Sequence, residues 1–308
     1  MLSLCNSPQY AAEVTLQPLR RFQLDAAILF ADLPQLAAAL GQTLEYREGD
    51  GPVLSPPIRS TDDIQQHLSL SRLHEELAPV YETVRLLSAC LPSEVALIGY
   101  AGAPWTVATY MVEGRGGGES DHAIIKQWAL SDPNGFQPLI DMLTIATTQF
   151  LERQIESGAE AIQIFESWAG ILPEPFFRRW CVQPVANIIE TLRQKHPHIP
   201  VIAFPRAAGL LYQGYAQATH ANCIGLDSTV PLGWASETIQ RRLGRCIQGN
   251  LDPQLLVVGG QALAADAERI LRDASEGPFI FNLGHGILKT TQPEHVAALV
   301  RQVRAWRS

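Results

Sequence analysis

Seven short apolar runs, most of them separated by stretches of helical periodicity, restrict the fold of this chain more than any other feature. They cover residues 26–32, 95–100, 161–167, 201–204, 223–227, 246–250 and 279–285. Runs of this length, apolar nearly throughout, suit strands buried on both faces of a parallel sheet. Alternation of strand and helix then implies parallel pairing with right-handed crossovers. A doubly wound sheet would satisfy the pattern, but no glycine-rich dinucleotide fingerprint follows the first run. Polar residues sit at the C-terminal ends of nearly all the runs, which suits the mouth of a (β/α) barrel. A closed barrel of that kind needs eight strands, and seven are legible.

The segments between the runs fit this reading. Residues 8–22 form an amphipathic helix with Ala11, Val14, Leu16, Leu19 and Phe22 as its apolar set, and no helix is expected before it. Residues 43–58, with Glu48-Gly49-Asp50-Gly51-Pro52 at the centre, read as a surface hairpin. A helix is expected over 74–90. The helix before the third run stops at Ser157-Gly158. The last helix starts at Pro293 and buries Val296, Leu299, Val300, Val303 and Trp306. No shift in composition marks a linker, so residues 1–308 read as a single domain.

With 308 residues, 46% of them hydrophobic, the chain is long enough for one large core. Its formal net charge of -8 argues against general nucleic-acid binding and against a polybasic membrane contact. No apolar run reaches the roughly 20 residues that span a bilayer. The five cysteines (Cys5, Cys90, Cys181, Cys223 and Cys246) are widely spaced, with no CxxC or HxC pair. They read as reduced thiols of a cytosolic-type compartment and argue against metal ligation.

Chemistry collects at the strand ends: Asp32, Tyr110, Ser167, Arg206, Asp227, Asn250 and His285. Each has a structural alternative. Asp227 and Asn250 suit turns, Ser167 suits a helix cap, Tyr110 suits a core, and a histidine flanked by glycines can be structural. Their common position at one end of the sheet favours a site. The segment 113–120 superficially resembles a phosphate loop, but lacks the Gly-Lys-Ser/Thr ending and reads as a flexible lid.

Several segments resemble the uroporphyrinogen decarboxylase family. They are residues 12–18, the run from Asp25 to Asp32, Gly102-Ala103-Pro104-Trp105-Thr106, Tyr110-Met111-Val112-Glu113-Gly114 and Phe165-Glu166-Ser167. Gln248-Gly249-Asn250-Leu251-Asp252-Pro253 and Asn282-Leu283-Gly284-His285-Gly286 complete the set, in family order. The resemblance implies a cofactor-free, metal-free (β/α)8 barrel, commonly a homodimer. Such a barrel converts uroporphyrinogen III to coproporphyrinogen III by removing four acetate carboxyls. It implies that Asp32 faces the pyrrole N–H groups as the catalytic residue, and that Tyr110, Ser167 and His285 contact substrate. Phe30 and Arg206 are further substrate-binding candidates. A related barrel methyltransferase, using zinc and a cobalamin or thiol partner, would need His and Cys ligands at the strand ends. Those are not in the pattern.

The chain also departs from the family. An N-terminal segment reading Arg-Gln-Ala-Gly-Arg, expected to grip the carboxylates of the substrate, is not in this sequence. The expectation is that roughly 45 residues of a family member, with the first strand, are missing. A degenerate porphyrin-binding member is therefore an alternative. A cytoplasmic location is expected, with a plastid not excluded. Arg115 lies in the lid, and Ser228 stands where the family usually has Trp.

Overall fold

The computed structural model describes residues 1–48, 51–115 and 121–306. Nine strands are defined among them: β1 (Ala26–Ile28), β2 (Thr43–Arg47), β3 (Gly51–Ser55), β4 (Ala96–Gly102), β5 (Ala161–Glu166), β6 (Val201–Pro205), β7 (Cys223–Gly225), β8 (Cys246–Leu251) and β9 (Phe279–Leu283). Seven make one parallel sheet in the order β1-β4-β5-β6-β7-β8-β9, and β2 pairs with β3 in an antiparallel hairpin. The sheet follows chain order, as expected when each helical crossover returns the chain beside the strand it has left.

Strand periodicity divides the side chains into two sets. Ala101, Ile162, Ile164, Ala203, Ile224 and Ile247 are fully buried or nearly so, under the surrounding helices. The longest of these helices, Pro133–Glu156, starts where the Asp132 side chain accepts the Gly135 N–H at 2.9 Å. It ends before Gly158, whose φ of +115° favours glycine.

The other set faces inward, and the strand register sorts it into rows. One row runs Tyr100, Gln163, Ile202, Cys223, Cys246, and the next runs Gly102, Phe165, Phe204, Gly225, Gln248, Ile280. The Gln163 amide donates to Gln248 Oε1 at 3.1 Å. Their strands are three places apart, about 14 Å on a flat sheet. Only a sheet curled into a barrel wall brings these two side chains together. The strands β1 and β9 are the two edges of that wall, and their inward residues Ile28 and Ile280 are exposed.

Three expectations need correction. A helical turn, Leu2–Cys5, precedes the helix Pro8–Phe22. It forms because Cys5 is packed into the interior, and the Leu4 and Cys5 N–H groups bond Met1 O. The first strand ends at Ile28, so Asp32 lies beyond it rather than on it. In the last helix, Pro293–Ala305, only Leu299 is fully buried, while Val296 and Val303 pack partly against the core. The hairpin stands where its turn residues implied, although Gly49 and Asp50 lie outside the described residues.

Gln163→Leu should lower stability in urea by about 1–3 kcal/mol, because it strands the buried Gln248 carbonyl. The double change Gln163→Leu with Gln248→Leu should recover most of that loss. A single variant as stable as the parent would show that the two amides do not meet inside the barrel.

Candidate active site

Backbone hydrogen bonds carry the chain from β1 to Asp32. The Leu29 N–H continues the ladder to Ile98 O at 3.1 Å. The Phe30 N–H then leaves it and donates to Thr15 Oγ1 at 2.9 Å, while the Thr15 hydroxyl donates to Ala11 O at 2.8 Å. Thr15 is therefore buried on the helix face that also buries Ala11 and Ala12. The loop closes on Asp32, whose N–H donates to Gln35 Oε1 at 2.8 Å.

Asp32 is held by short-range contacts. The Leu33 N–H donates to Oδ1 at 2.9 Å, and the Tyr46 hydroxyl, reaching over from the hairpin, donates to Oδ2. Loss of water pushes the carboxyl up to about 6, against the opposing bond from Leu33. No arginine or lysine is among the groups that shift it. Two further phenols face its charge. Burial first, then Asp32, raises both Tyr100 and Tyr110, and the Ala31 N–H bonds the Tyr100 hydroxyl. Cys5 lies under the same group, pushed to about 11 by burial and then by Asp32.

The helix that carries Tyr110 and the loop that carries Ser167 are tied through Thr106 and a buried carboxyl. Glu166, at the end of β5, is fully buried and its carboxyl is pushed up to about 8 by desolvation. It accepts a hydrogen bond from the Thr106 hydroxyl, and Thr106 Oγ1 accepts the Ser167 N–H at 2.8 Å. Thr106 stands in the first turn of the helix Pro104–Glu113, which carries Tyr110. The Tyr110 ring packs edge-on against Trp168 with centroids 6.5 Å apart. One side chain thus fixes both the loop after β5 and the helix after β4.

A second group gathers after β6, β7 and β9. Asp227 is nearly buried. Its Oδ2 accepts from the Ala207 N–H at 2.8 Å and the Tyr212 hydroxyl at 2.9 Å, and its Oδ1 accepts from the Thr229 N–H at 2.9 Å. Burial raises this carboxyl, but its hydrogen bonds outweigh burial and hold it below the usual aspartate value. Ala207 has φ +61°, a conformation unfavourable for a residue with Cβ, and the bond to Asp227 compensates for it. Arg206, the residue before it, is thereby set beside the mouth. The Asn250 amide donates to Asp227 O at 2.9 Å and Val230 O at 2.8 Å, so Asn250 supports this loop. His285 stands exposed at the rim. The atoms packed on its covered side and then Arg206 lower its pKa, while Asp227 opposes them.

The strand-end residues thus fall into two groups, an acidic and phenolic one around Asp32 and one around Asp227 with Arg206 and His285. Phe30 stands between β1 and Asp32. Tyr46, Tyr100, Thr106, Glu166 and Tyr212 were not in the expected set, since each acts through a partner distant in sequence. Residues 116–120 of the expected lid lie outside the described residues. Arg115, in that segment, bridges to Val53 of the hairpin.

Linkage gives the pH dependence its sign. A carboxyl held near 6 instead of its ordinary 3.8 makes the folded chain bind a proton that the unfolded chain has released. The advantage of the protonated form is complete below about 3.8 and lost as pH rises through about 6. At pH 8 the buried charge costs up to about 3 kcal/mol. Asp32→Asn should therefore raise the melting temperature more at pH 8 than at pH 5. An equal effect at both pH values would refute the desolvated state.

Comparison with known proteins places this geometry. The family model "Uroporphyrinogen decarboxylase (URO-D)" matches residues 1–306. A uroporphyrinogen decarboxylase of Rhodospirillum rubrum is 49% identical over 306 residues, covering 99% of this chain and 86% of that protein. One from Paracoccus denitrificans is 50% identical over 303 residues, covering 98% and 87%. Among solved structures, a methyltransferase from Methanosarcina mazei superposes with a TM-score of 0.80 at 17% identity, covering 96% of this chain and 85% of that one. A B12-independent methionine synthase from Shewanella gives 0.59 at 11% identity, covering 99% and 89%. At these identities the two structures share a fold with the chain and nothing more is drawn from them.

Proposed function

This chain belongs to the uroporphyrinogen decarboxylase family, and we propose that it removes the four acetate carboxyls of uroporphyrinogen III to give coproporphyrinogen III. The observation that carries the reading is Asp32: a mostly buried carboxylate at the barrel mouth, ringed by phenols and shifted by no arginine or lysine.

Decarboxylation at a pyrrole acetate needs an electron sink. Protonation of the pyrrole at ring carbon makes the ring a cation. The bond to the carboxylate then breaks, CO2 leaves, and the electron pair neutralises the ring. A second proton on the exocyclic carbon gives the methyl group, and loss of the ring proton restores the pyrrole. Charge appears on the ring only along this path, so a fixed carboxylate favours the transition state over the neutral substrate. At about 4 Å and an effective dielectric near 20, the attraction is about 4 kcal/mol, close to three decades in rate.

Asp32 acts in its ionised form, and pyrrole N–H donors lower its pKa on binding. The Leu33 N–H and the Tyr46 hydroxyl leave lone pairs on both oxygens for these donors. Arg206 and His285, with the hydroxyls of Tyr110 and Ser167, receive the carboxylates of the substrate, and Phe30 supplies an apolar contact. Arg206 contributes a planar donor array suited to carboxylates. We assign the active unit as a homodimer in the cytoplasm. No helix among the described residues is long and apolar enough to cross a membrane.

The test is anaerobic incubation with uroporphyrinogen under reducing conditions, with carboxyl loss followed by chromatography of the oxidised porphyrins. Product should accumulate, and kcat/KM should rise with pH through about 6 as Asp32 ionises. Asp32→Asn should lower the rate by about three decades with the fold intact. Arg206→Ala should act mainly on KM, by about tenfold or more. An active Asn variant would remove Asp32 from its role, and no conversion by the parent chain would sink the decarboxylase reading.

A further inference from the structure

Two cysteines that are 23 residues apart in sequence stand side by side on the barrel floor. Cys223 opens β7 and Cys246 opens β8, and the register pairs them directly. Both belong to the inward row below Phe165 and Gln248. Cys223 is buried and Cys246 half-buried, and both thiols are free. The Cys246 thiol donates to the Ile247 carbonyl at 3.5 Å.

Register also decides what the pair can hold. Adjacent strands lie about 4.8 Å apart. A disulfide draws the Cβ atoms to about 3.8 Å, so it would pull this ladder in. A linear sulfur–metal–sulfur unit asks for less closing than a disulfide: two bonds of about 2.3 Å, the zinc–thiolate length, set the sulfurs about 4.6 Å apart. Zinc itself needs four ligands, and the rest of the row (Tyr100, Gln163 and Ile202) offers no histidine, carboxylate or third thiol. A soft cation content with two thiolates suits the donor set.

We propose that Cys223 and Cys246 form a binding site for a monovalent soft cation, with Cu(I) as its representative, on the inner floor of the barrel. Each sulfur that binds the metal as thiolate releases its proton to solvent. The half-buried Cys246 and the exposed inward face of Ile280 on edge strand β9 mark the approach. The cation is a ligand of the barrel floor and takes no part in the decarboxylation, so this site does not rest on that reading.

Anaerobic titration with Cu(I) against bicinchoninate, in a Cys90→Ser background that removes the exposed thiol, tests the site. One copper per chain should bind. Affinity should fall at least tenfold on Cys223→Ser or Cys246→Ser and stay unchanged on Cys5→Ser. If the serine variants do not fold, iodoacetamide mapping of the parent chain decides the matter. Cys246 should label readily without copper and at least tenfold more slowly with it, and X-ray absorption of the loaded protein should show two sulfur neighbours. Undiminished binding in folded serine variants, or labelling of Cys246 indifferent to copper, would overturn the proposal. A Cys223–Cys246 disulfide in the freshly purified protein would do so as well.

Discussion

Every strand of the parallel sheet must turn one face to the helices and the other inward, and the rest of this molecule follows from that alternation. The outward faces hold isoleucines and alanines that never meet water. The inward faces hold groups that no surface helix could shelter, among them two glutamines, two cysteines and the aromatic rings of Tyr100 and Phe165. Their rows are level because parallel pairing fixes register, and a one-residue slip would exchange the two sets. The Gln163–Gln248 bond is the direct sign that the sheet curls far enough for opposite walls to meet.

The mouth of the barrel works by a different economy of charge on its two sides. Around Asp32 no arginine or lysine shifts the carboxyl; burial outweighs the Leu33 N–H and the N-terminal ammonium, and phenols surround the group. That state is poor for stability. Around Asp227 the reverse holds. Backbone and hydroxyl donors satisfy the carboxylate fully, and its role is to fix the loop that carries Arg206. Two aspartates at similar places on the wall therefore serve unlike ends.

Much of this was legible from residue patterns. The seven strands, though the first stops at Ile28, the hairpin, the first long helix and the glycine stop at Gly158 stand where periodicity and turn chemistry put them. Asp32, Ser167, Arg206, Asp227, Asn250 and His285 all lie at or just beyond strand ends on one side of the sheet, with Tyr110 on the helix that follows β4. What periodicity could not report was which groups share a contact. Thr15 stood outside the apolar set of its helix, although its hydroxyl holds the loop before Asp32. Glu166 read as part of a motif, although its buried carboxyl holds the Thr106 hydroxyl that also accepts the Ser167 N–H. Tyr46 read as a hairpin residue and reaches Asp32 only because the hairpin folds over the mouth. The cysteines, lacking any ligand spacing, read as isolated thiols until β7 and β8 brought two of them level.

The sequence by itself determined the alternation of strands and helices, the end of the sheet where polar chemistry gathers and the family to which those motifs point. These depend on local periodicity and on residue types at fixed offsets, which a chain carries before it folds. Only the tertiary structure decided the protonation behaviour of Asp32, the phenols around it, the hydrogen-bonded loop behind Arg206 and the paired thiols on the floor. Each of these depends on desolvation or on contact between residues distant in the chain, and neither exists until the sheet has curled and its register is set.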